Sequence, residues 1–130
     1  MQKREADLKS AFVAELKRQR PGFIVLAYAT NGAPDRSIVG GGKQSNWECK
    51  HATPDFDSPG DQVLMCMRLA HVGHCRYVFW QESAHGTRQR TMIVHPRAVH
   101  ERNGPLVACE EFCVGYDMRW LAERVLEVHK

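Results

Sequence analysis

The stretch GAPDRSIVGGGKQSNWECK, residues 32–50, sets acidic side chains on both sides of three consecutive glycines. Two short segments that favour β-structure, residues 37–39 and 46–51, flank the glycine run. Glycine readily adopts the positive φ angles that tight hairpin turns require. The sequence therefore predicts an antiparallel β-hairpin whose turn lies at residues 40–43.

The register of this hairpin brings two carboxylates together. The midpoint between Asp35 and Glu48 falls between Gly41 and Gly42, so a hairpin centred there sets the two acids opposite each other. Opposed Cβ atoms lie about 4.5–5.5 Å apart, and carboxylates that close repel unless a positive charge lies between them. Mg²⁺ prefers carboxylate oxygens and keeps several of its waters. The pattern therefore predicts a divalent-cation site at Asp35 and Glu48.

Strand alternation adds a lysine to this site. Successive side chains of a strand point to opposite faces, so Glu48 and Lys50 share one face while Trp47 and Cys49 share the other. A lysine beside a metal can orient a water or offset negative charge that grows on a phosphate. Lys50 is therefore predicted to act with the carboxylates, and Trp47 to anchor the strand in the core.

The first predicted helix supplies a further acid. Residues 3–18 carry Glu5, Leu8, Phe12 and Leu16 at helical spacing on one face. A helix that packs this stripe on the sheet points Glu5 inward, toward the polar cluster, instead of into solvent.

The remaining pattern completes an α/β fold. Pro21-Gly22 ends the first helix, and Asp117 is predicted to cap the last one. Residues 97–116 have no clear pattern, and residues 97–130 could hold a substrate determinant that the sequence does not reveal. The other predicted elements are a buried strand at 23–29, a helix at 62–72 that begins near Ser58-Pro59, and strands at 76–81 and 91–96. The order α-β-β-β-α-β-β-α predicts a mixed sheet flanked by helices.

Composition limits the class of protein. The 130 residues fit one domain, 43% of them are hydrophobic, and the net charge of +3 only mildly favours an anionic partner. No apolar run is long enough to cross a bilayer, and the charged N-terminus lacks a secretory pattern. Five cysteines, an odd number, argue against a disulfide framework. We therefore expect a cytoplasmic protein without a membrane partner.

Pro34-Asp35 and Glu48-Cys49-Lys50 resemble the two signature elements of the PD-(D/E)XK nuclease superfamily. The stretch GAPDRSIV…WECK resembles the small VRR-NUC domains common in phage proteins. The spacing of Glu5 from these elements resembles archaeal-type Holliday junction resolvases. The resemblance covers about residues 3–81 and implies a restriction-endonuclease-like sheet with an α-β-β-β-α-β core.

What the resemblance implies is hydrolysis of DNA phosphodiester bonds that depends on Mg²⁺ or Mn²⁺. Asp35, Glu48 and the backbone carbonyl of Cys49 would bind the metal, with Glu5 helping to hold it or its water. Lys50 would position the attacking water, and Gln62 on the second helix would support the site. The expected substrate is branched or otherwise structured DNA, and recombination, repair, packaging and attack on host DNA all stay open as the biological role.

The basic residues and the second helix suggest how DNA would be held. Phosphate contacts are expected from Arg36, Lys43, Arg88 and Arg90, although each is also typical of a solvated surface charge. The helix at 62–72 is apolar on nearly every side, which indicates either deep burial or a homodimer contact.

Two alternatives stay open. His71, His74 and Cys75, together with Cys109 and Cys113, could build a zinc site, although their spacing is not that of a standard finger and ordinary packing is favoured. The whole chain could instead be a non-catalytic nucleic-acid-binding or assembly module with a nuclease fold. The intact Asp35, Glu48 and Lys50 set argues against this second alternative.

Overall fold

The computed structural model describes residues 3–28, 34–51, 60–82, 88–101 and 109–130, which form four helices and six strands. In chain order these elements are α1 (Lys3–Gln19), β1 (Ile24–Ala27), β2 (Arg36–Gly40), β3 (Lys43–His51), α2 (Gly60–Val72), β4 (Cys75–Glu82), β5 (Gln89–Val94), α3 (Pro96–His100), β6 (Cys109–Val114) and α4 (Met118–Val128). Ala29, Ser58 and Pro59, which were assigned to element ends, lie outside the described residues.

The six strands form one mixed sheet in the order β1-β2-β3-β4-β5-β6. Only β3 and β4 pair in parallel, and the other neighbours are antiparallel. A parallel pair needs a crossover, which α2 supplies. The predicted α/β mixed sheet flanked by helices is confirmed, and the predicted order α-β-β-β-α-β holds from α1 to β4.

Helices cover both faces of the sheet. On one face, Leu8, Phe12 and Leu16 of α1 pack with Leu121 and Val125 of α4. The Asp117 side chain caps α4, as predicted, by accepting a hydrogen bond from the Trp120 N–H at 3.0 Å. The opposite face carries a smaller hydrophobic cluster, which α2 and α3 cover. Each strand of the centre is therefore buried on both sides.

The hairpin has the predicted register. Arg36 pairs with Trp47 and Gly40 with Lys43, so the next position beyond the ladder sets Asp35 opposite Glu48. The two turn residues, Gly41 and Gly42, have φ angles of 61° and 75°. These positive values are those of the two-residue turns that match the twist of a hairpin, and glycine adopts them without a steric penalty.

Two predictions about other elements are wrong. β1 is not buried, because it is the edge strand, and Ile24 and Leu26 are largely exposed. The fifth strand stops at Val94, because Pro96 begins α3 and His95 caps it. The short helix α3 and strand β6 had no predicted counterpart.

The second helix is only half covered. Val63 and Cys66 are buried, whereas Leu64, Met65 and Val72 are exposed. The deep-burial interpretation of its apolar sequence is therefore wrong. No helix among the described ranges is long and apolar enough to span a bilayer.

Candidate active site

Asp35 and Glu48 are tied together by backbone hydrogen bonds. The Asp35 N–H donates to Glu48 Oε1 at 3.0 Å, and the Cys49 N–H donates to Asp35 Oδ2 at 2.9 Å. These two bonds reach across the point where the β2–β3 ladder ends. Each carboxyl group is therefore oriented by the backbone of the neighbouring strand, which holds the pair in a defined geometry.

Glu48 has one oxygen without a hydrogen bond. Its side chain is 0% exposed, and Oε2 is buried with no hydrogen-bond partner. Lys50 Nζ, on the same face of β3, lies 3.8 Å from this oxygen. Buried polar atoms almost always have a partner, so an unpartnered carboxylate oxygen next to a second acid marks a position that suits a cation.

The electrostatics show how the pair behaves without a cation. Burial, and next the hydrogen bond and charge of Asp35, raise the pKa of Glu48 to about 9. Burial alone would raise the pKa of Asp35 too, but hydrogen bonds from Glu48, Lys9 and the Cys49 N–H outweigh it and lower that pKa. At neutral pH one proton therefore sits on Glu48 and Asp35 is ionised.

Lys9 is a member of this site that the sequence prediction missed. Its Nζ lies 2.9 Å from Asp35 Oδ1 and 3.4 Å from Glu5 Oε2, and its side chain is only 2% exposed. Burial lowers the pKa of Lys9, but the hydrogen bond and charge of Asp35, with the charge of Glu5, more than compensate and raise it. The signal was available, because residues 5, 9, 12 and 16 form one helical stripe.

Glu5 points inward, but it meets the cluster indirectly. Its Oε1 accepts a hydrogen bond from the His51 N–H at 3.0 Å, and its Oε2 pairs with Lys9. Glu5 therefore joins α1 to the end of β3 and reaches Asp35 through the Lys9 ammonium.

Polar groups continue beyond Glu5 along the same face. His51 Nε2 lies 3.6 Å from Glu82 Oε1, and the Tyr116 hydroxyl donates to that same oxygen at 3.2 Å. The Arg4 guanidinium lies over the Tyr116 ring. Burial and the negative charge of Glu82 raise the pKa of Tyr116, so its hydroxyl remains a hydrogen-bond donor at neutral pH.

The Cys49 carbonyl is suitably placed for the implied metal. In a strand the N–H and C=O of one residue point to the same side, and the Cys49 N–H points toward Asp35. Continuing the register, the ladder partner of Cys49 is Pro34. Proline has no N–H to donate, so Pro34 leaves this carbonyl without a ladder bond from the neighbouring strand.

This donor set fits one hard divalent cation. Within the ranges that the structure describes, no three His, Cys, Asp or Glu side chains form a metal cluster by themselves. Mg²⁺, however, is usually held by one or two carboxylates and keeps several waters for substrate oxygens to replace. The unpartnered Glu48 Oε2, the Asp35 carboxylate and the Cys49 carbonyl meet that requirement.

Gln62 lies in the first turn of α2, with its Oε1 buried and without a hydrogen-bond partner. It is one helical turn before Cys66, whose thiol is close enough to Glu48 to affect the pKa of that acid. Because α2 runs antiparallel to β3, the step from Cys66 back to Gln62 leads toward Lys50. Gln62 therefore shares the helix face of Cys66, which packs on the sheet.

The four predicted phosphate contacts do not all lie together. Arg36 follows Asp35 directly in the chain. Arg90 pairs with Gln81, and both lie on the same face and at the same end of the sheet as Lys50. Arg88 is exposed just before β5 at that end. Lys43 is seven strand residues from Lys50, about 23 Å, and donates to the Lys130 carbonyl instead. Lys43 is therefore remote from the site.

The residues considered for zinc are dispersed. Cys75 is fully buried and its thiol hydrogen-bonds with Cys66, while His71 is exposed on α2. The His74 ring packs against Trp47, with centroids 5.0 Å apart. None of the five cysteines, all of which lie in the described ranges, forms a disulfide.

A scan against protein-family models gives no match for this sequence, and a search of curated proteins gives none either. What the chain does is therefore inferred from the geometry of its own residues.

Proposed function

We propose that this chain is a Mg²⁺- or Mn²⁺-dependent DNA endonuclease that hydrolyses phosphodiester bonds. The observation that supports this most is the fully buried Glu48 Oε2, which lacks a hydrogen-bond partner, lies beside Asp35 and is 3.8 Å from Lys50. A carboxylate pair with a neighbouring ammonium suits phosphoryl chemistry, in which a cation and a fixed positive charge stabilise negative charge on the reacting phosphate.

Each residue of the site has a distinct part in this proposal. Asp35, Glu48 and the Cys49 carbonyl would hold the ion, which when bound polarises the scissile phosphate and makes water more acidic. The Lys50 ammonium, partly exposed beside Glu48, orients the attacking water and offsets charge on the phosphate. Gln62 supports the site from α2.

DNA would be held at the end of the sheet where Lys50 lies. Arg36, Arg88 and Arg90 are within reach of this end, so they are the candidates for phosphate contacts. Binding that rests on such contacts releases counterions and weakens as salt is added. The modest net charge of +3 is consistent with a small number of these contacts.

A homodimer acting on branched DNA is part of the proposal. The exposed apolar residues of α2, Leu64, Met65 and Val72, form a surface that a second copy would cover. Two-fold symmetry would present two antiparallel active sites, which suits a symmetric four-way junction. Light scattering coupled to size-exclusion chromatography should give twice the chain mass, and a Met65→Lys variant should give the monomer mass.

The test of the activity is cleavage of plasmid DNA and a four-way junction, with Mg²⁺ and with EDTA. The parent chain should cut only with Mg²⁺, and Asp35→Asn should lose roughly a hundredfold or more in rate. Glu123→Gln, which changes an exposed carboxylate on α4, is the matched control and should cut like the parent. Cutting that survives EDTA or Asp35→Asn would contradict the proposal, and salt-sensitive DNA binding without cutting would favour the non-catalytic module.

A further inference from the structure

We propose that Lys9 is a built-in cation of this active site, so that the chain binds one divalent ion at Asp35 and Glu48 and no second ion at Glu5. This inference rests on the proposed function and specifies its metal stoichiometry. It assigns Lys9 as a positioning residue, which acts through Asp35, and it makes Glu5 the partner of Lys9 instead of a metal ligand.

The burial of Lys9 is the first reason. Lysine is almost never fully buried unless it is paired, because removing an ammonium from water costs several kcal/mol. Lys9 is 2% exposed and has two carboxylate partners, Asp35 at 2.9 Å and Glu5 at 3.4 Å. Its position on the packed stripe of α1, beside the buried Leu8 and one turn before Phe12, fixes the ammonium between these two acids.

The occupancy of the carboxylate oxygens is the second reason. Both oxygens of Glu5 already have partners, the His51 N–H and the Lys9 ammonium. Asp35 uses one oxygen for Lys9 and the other for the Cys49 N–H, but it lies directly beside Glu48. The oxygen without a partner belongs to Glu48. An ion placed there is shared with Asp35 and is separated from Glu5 by the ammonium.

The charge balance is the third reason. Among the described residues that these ion pairs link, three carboxylates, Glu5, Asp35 and Glu48, face two ammoniums, Lys9 and Lys50. When all five groups are ionised, the cluster has one net negative charge. A single divalent ion changes this to one net positive charge. A second divalent ion, in a pair about 3.5–4 Å apart as two-metal enzymes hold them, would leave three positive charges in a largely buried site. Lys9 thus takes the electrostatic place of a second ion.

The experiment is calorimetric titration of Mn²⁺ into the full chain, without DNA. The parent should bind one ion per chain. Lys9→Met removes the ammonium while keeping a long apolar side chain, so Asp35 and Glu5 lose their counter-charge and should take up a second Mn²⁺. Lys17→Met, on the exposed last turn of α1, is the matched control and should keep one ion. Glu5→Gln should also keep one ion, because in this inference Glu5 supplies no ligand atom to it.

The outcomes separate this inference from the proposed function. A parent chain that binds two ions, or a Glu5→Gln variant that loses its ion, overturns the role of Lys9 while the nuclease proposal stands. A folded Lys9→Met variant that still binds one ion with unchanged affinity overturns it as well. A parent chain that binds no Mn²⁺ overturns both. The stoichiometry of the parent decides the question even if Lys9→Met does not fold.

Discussion

Replacing Glu48 with glutamine should stabilise the metal-free protein while removing its activity. Glu48 is fully buried beside Asp35, and this environment raises its pKa from 4.5 to about 9. Glutamine keeps the oxygen that accepts the Asp35 N–H and has nearly the shape of the acid, but it carries no charge. The variant therefore mimics the neutral form of Glu48 at every pH.

The size of the effect follows from the two pKa values. An acid whose pKa is higher in the folded state contributes its full stability below the unfolded pKa, and that contribution is lost as pH rises toward the folded pKa. Between 4.5 and pH 7 the loss is about 1.4 kcal/mol per pH unit, or about 3 kcal/mol in total. We therefore expect Glu48→Gln to raise the free energy of unfolding by about 3 kcal/mol at pH 7, and by less than about 1 kcal/mol at pH 5.

Urea unfolding in EDTA at both pH values measures this difference directly. Glu123→Gln, on the exposed surface of α4, is the control and should change stability by no more than about 0.5 kcal/mol. A Glu48→Gln variant that is no more stable than the parent at pH 7, or equally stabilised at both pH values, would refute this electrostatic account of the pair.

Three further outcomes are expected. Burial, and next the charge of Arg76, lower the pKa of His74 to about 4, so the unfolded chain takes up a proton at His74 before the folded chain does as pH falls below 6.5. His74→Gln removes this difference, so its free energy of unfolding relative to the parent should rise by about 3 kcal/mol between pH 6.5 and pH 4 in urea titrations, and no relative gain at pH 4 would contradict this. Gly41→Ala should destabilise more than Gly42→Ala in thermal unfolding, because a Cβ on Gly41 would lie 2.7 Å from the His129 carbonyl while one on Gly42 meets nothing within 4 Å; equal losses would contradict this. Arg90→Ala should reduce by about 1 the magnitude of the slope of log binding constant against log salt concentration, measured by fluorescence titration of DNA. Lys43→Ala, remote from Lys50, should leave this slope unchanged.

The part of the fold that depends on local sequence could be predicted. Glycine conformational freedom fixes the turn, and a two-residue turn then fixes every pair of the β2–β3 ladder, including the position of Asp35 opposite Glu48. Period-two alternation then places Lys50 with Glu48. These steps need only neighbouring residues, which is why the placement of Asp35, Glu48 and Lys50 relative to one another could be predicted.

The parts that depend on distant residues were missed. β1 has a hydrophobic sequence, but its exposure depends on being at the sheet edge, which no local pattern indicates. β6 begins with Cys109 and pairs with β5 across an irregular register, so its pattern is weak. Lys9 contacts Asp35 across 26 residues, and only its place on the packed stripe of α1 hinted at burial.

Anomalous diffraction from crystals soaked in Mn²⁺ would test the shared-cation claim most directly. We predict one anomalous peak per chain, in coordination contact with Glu48 Oε2 and a carboxylate oxygen of Asp35, with none at Glu5. Crystals whose Glu48 and Asp35 carboxyls have no peak between them at saturating Mn²⁺ would contradict the claim that this acidic pair exists to hold a metal.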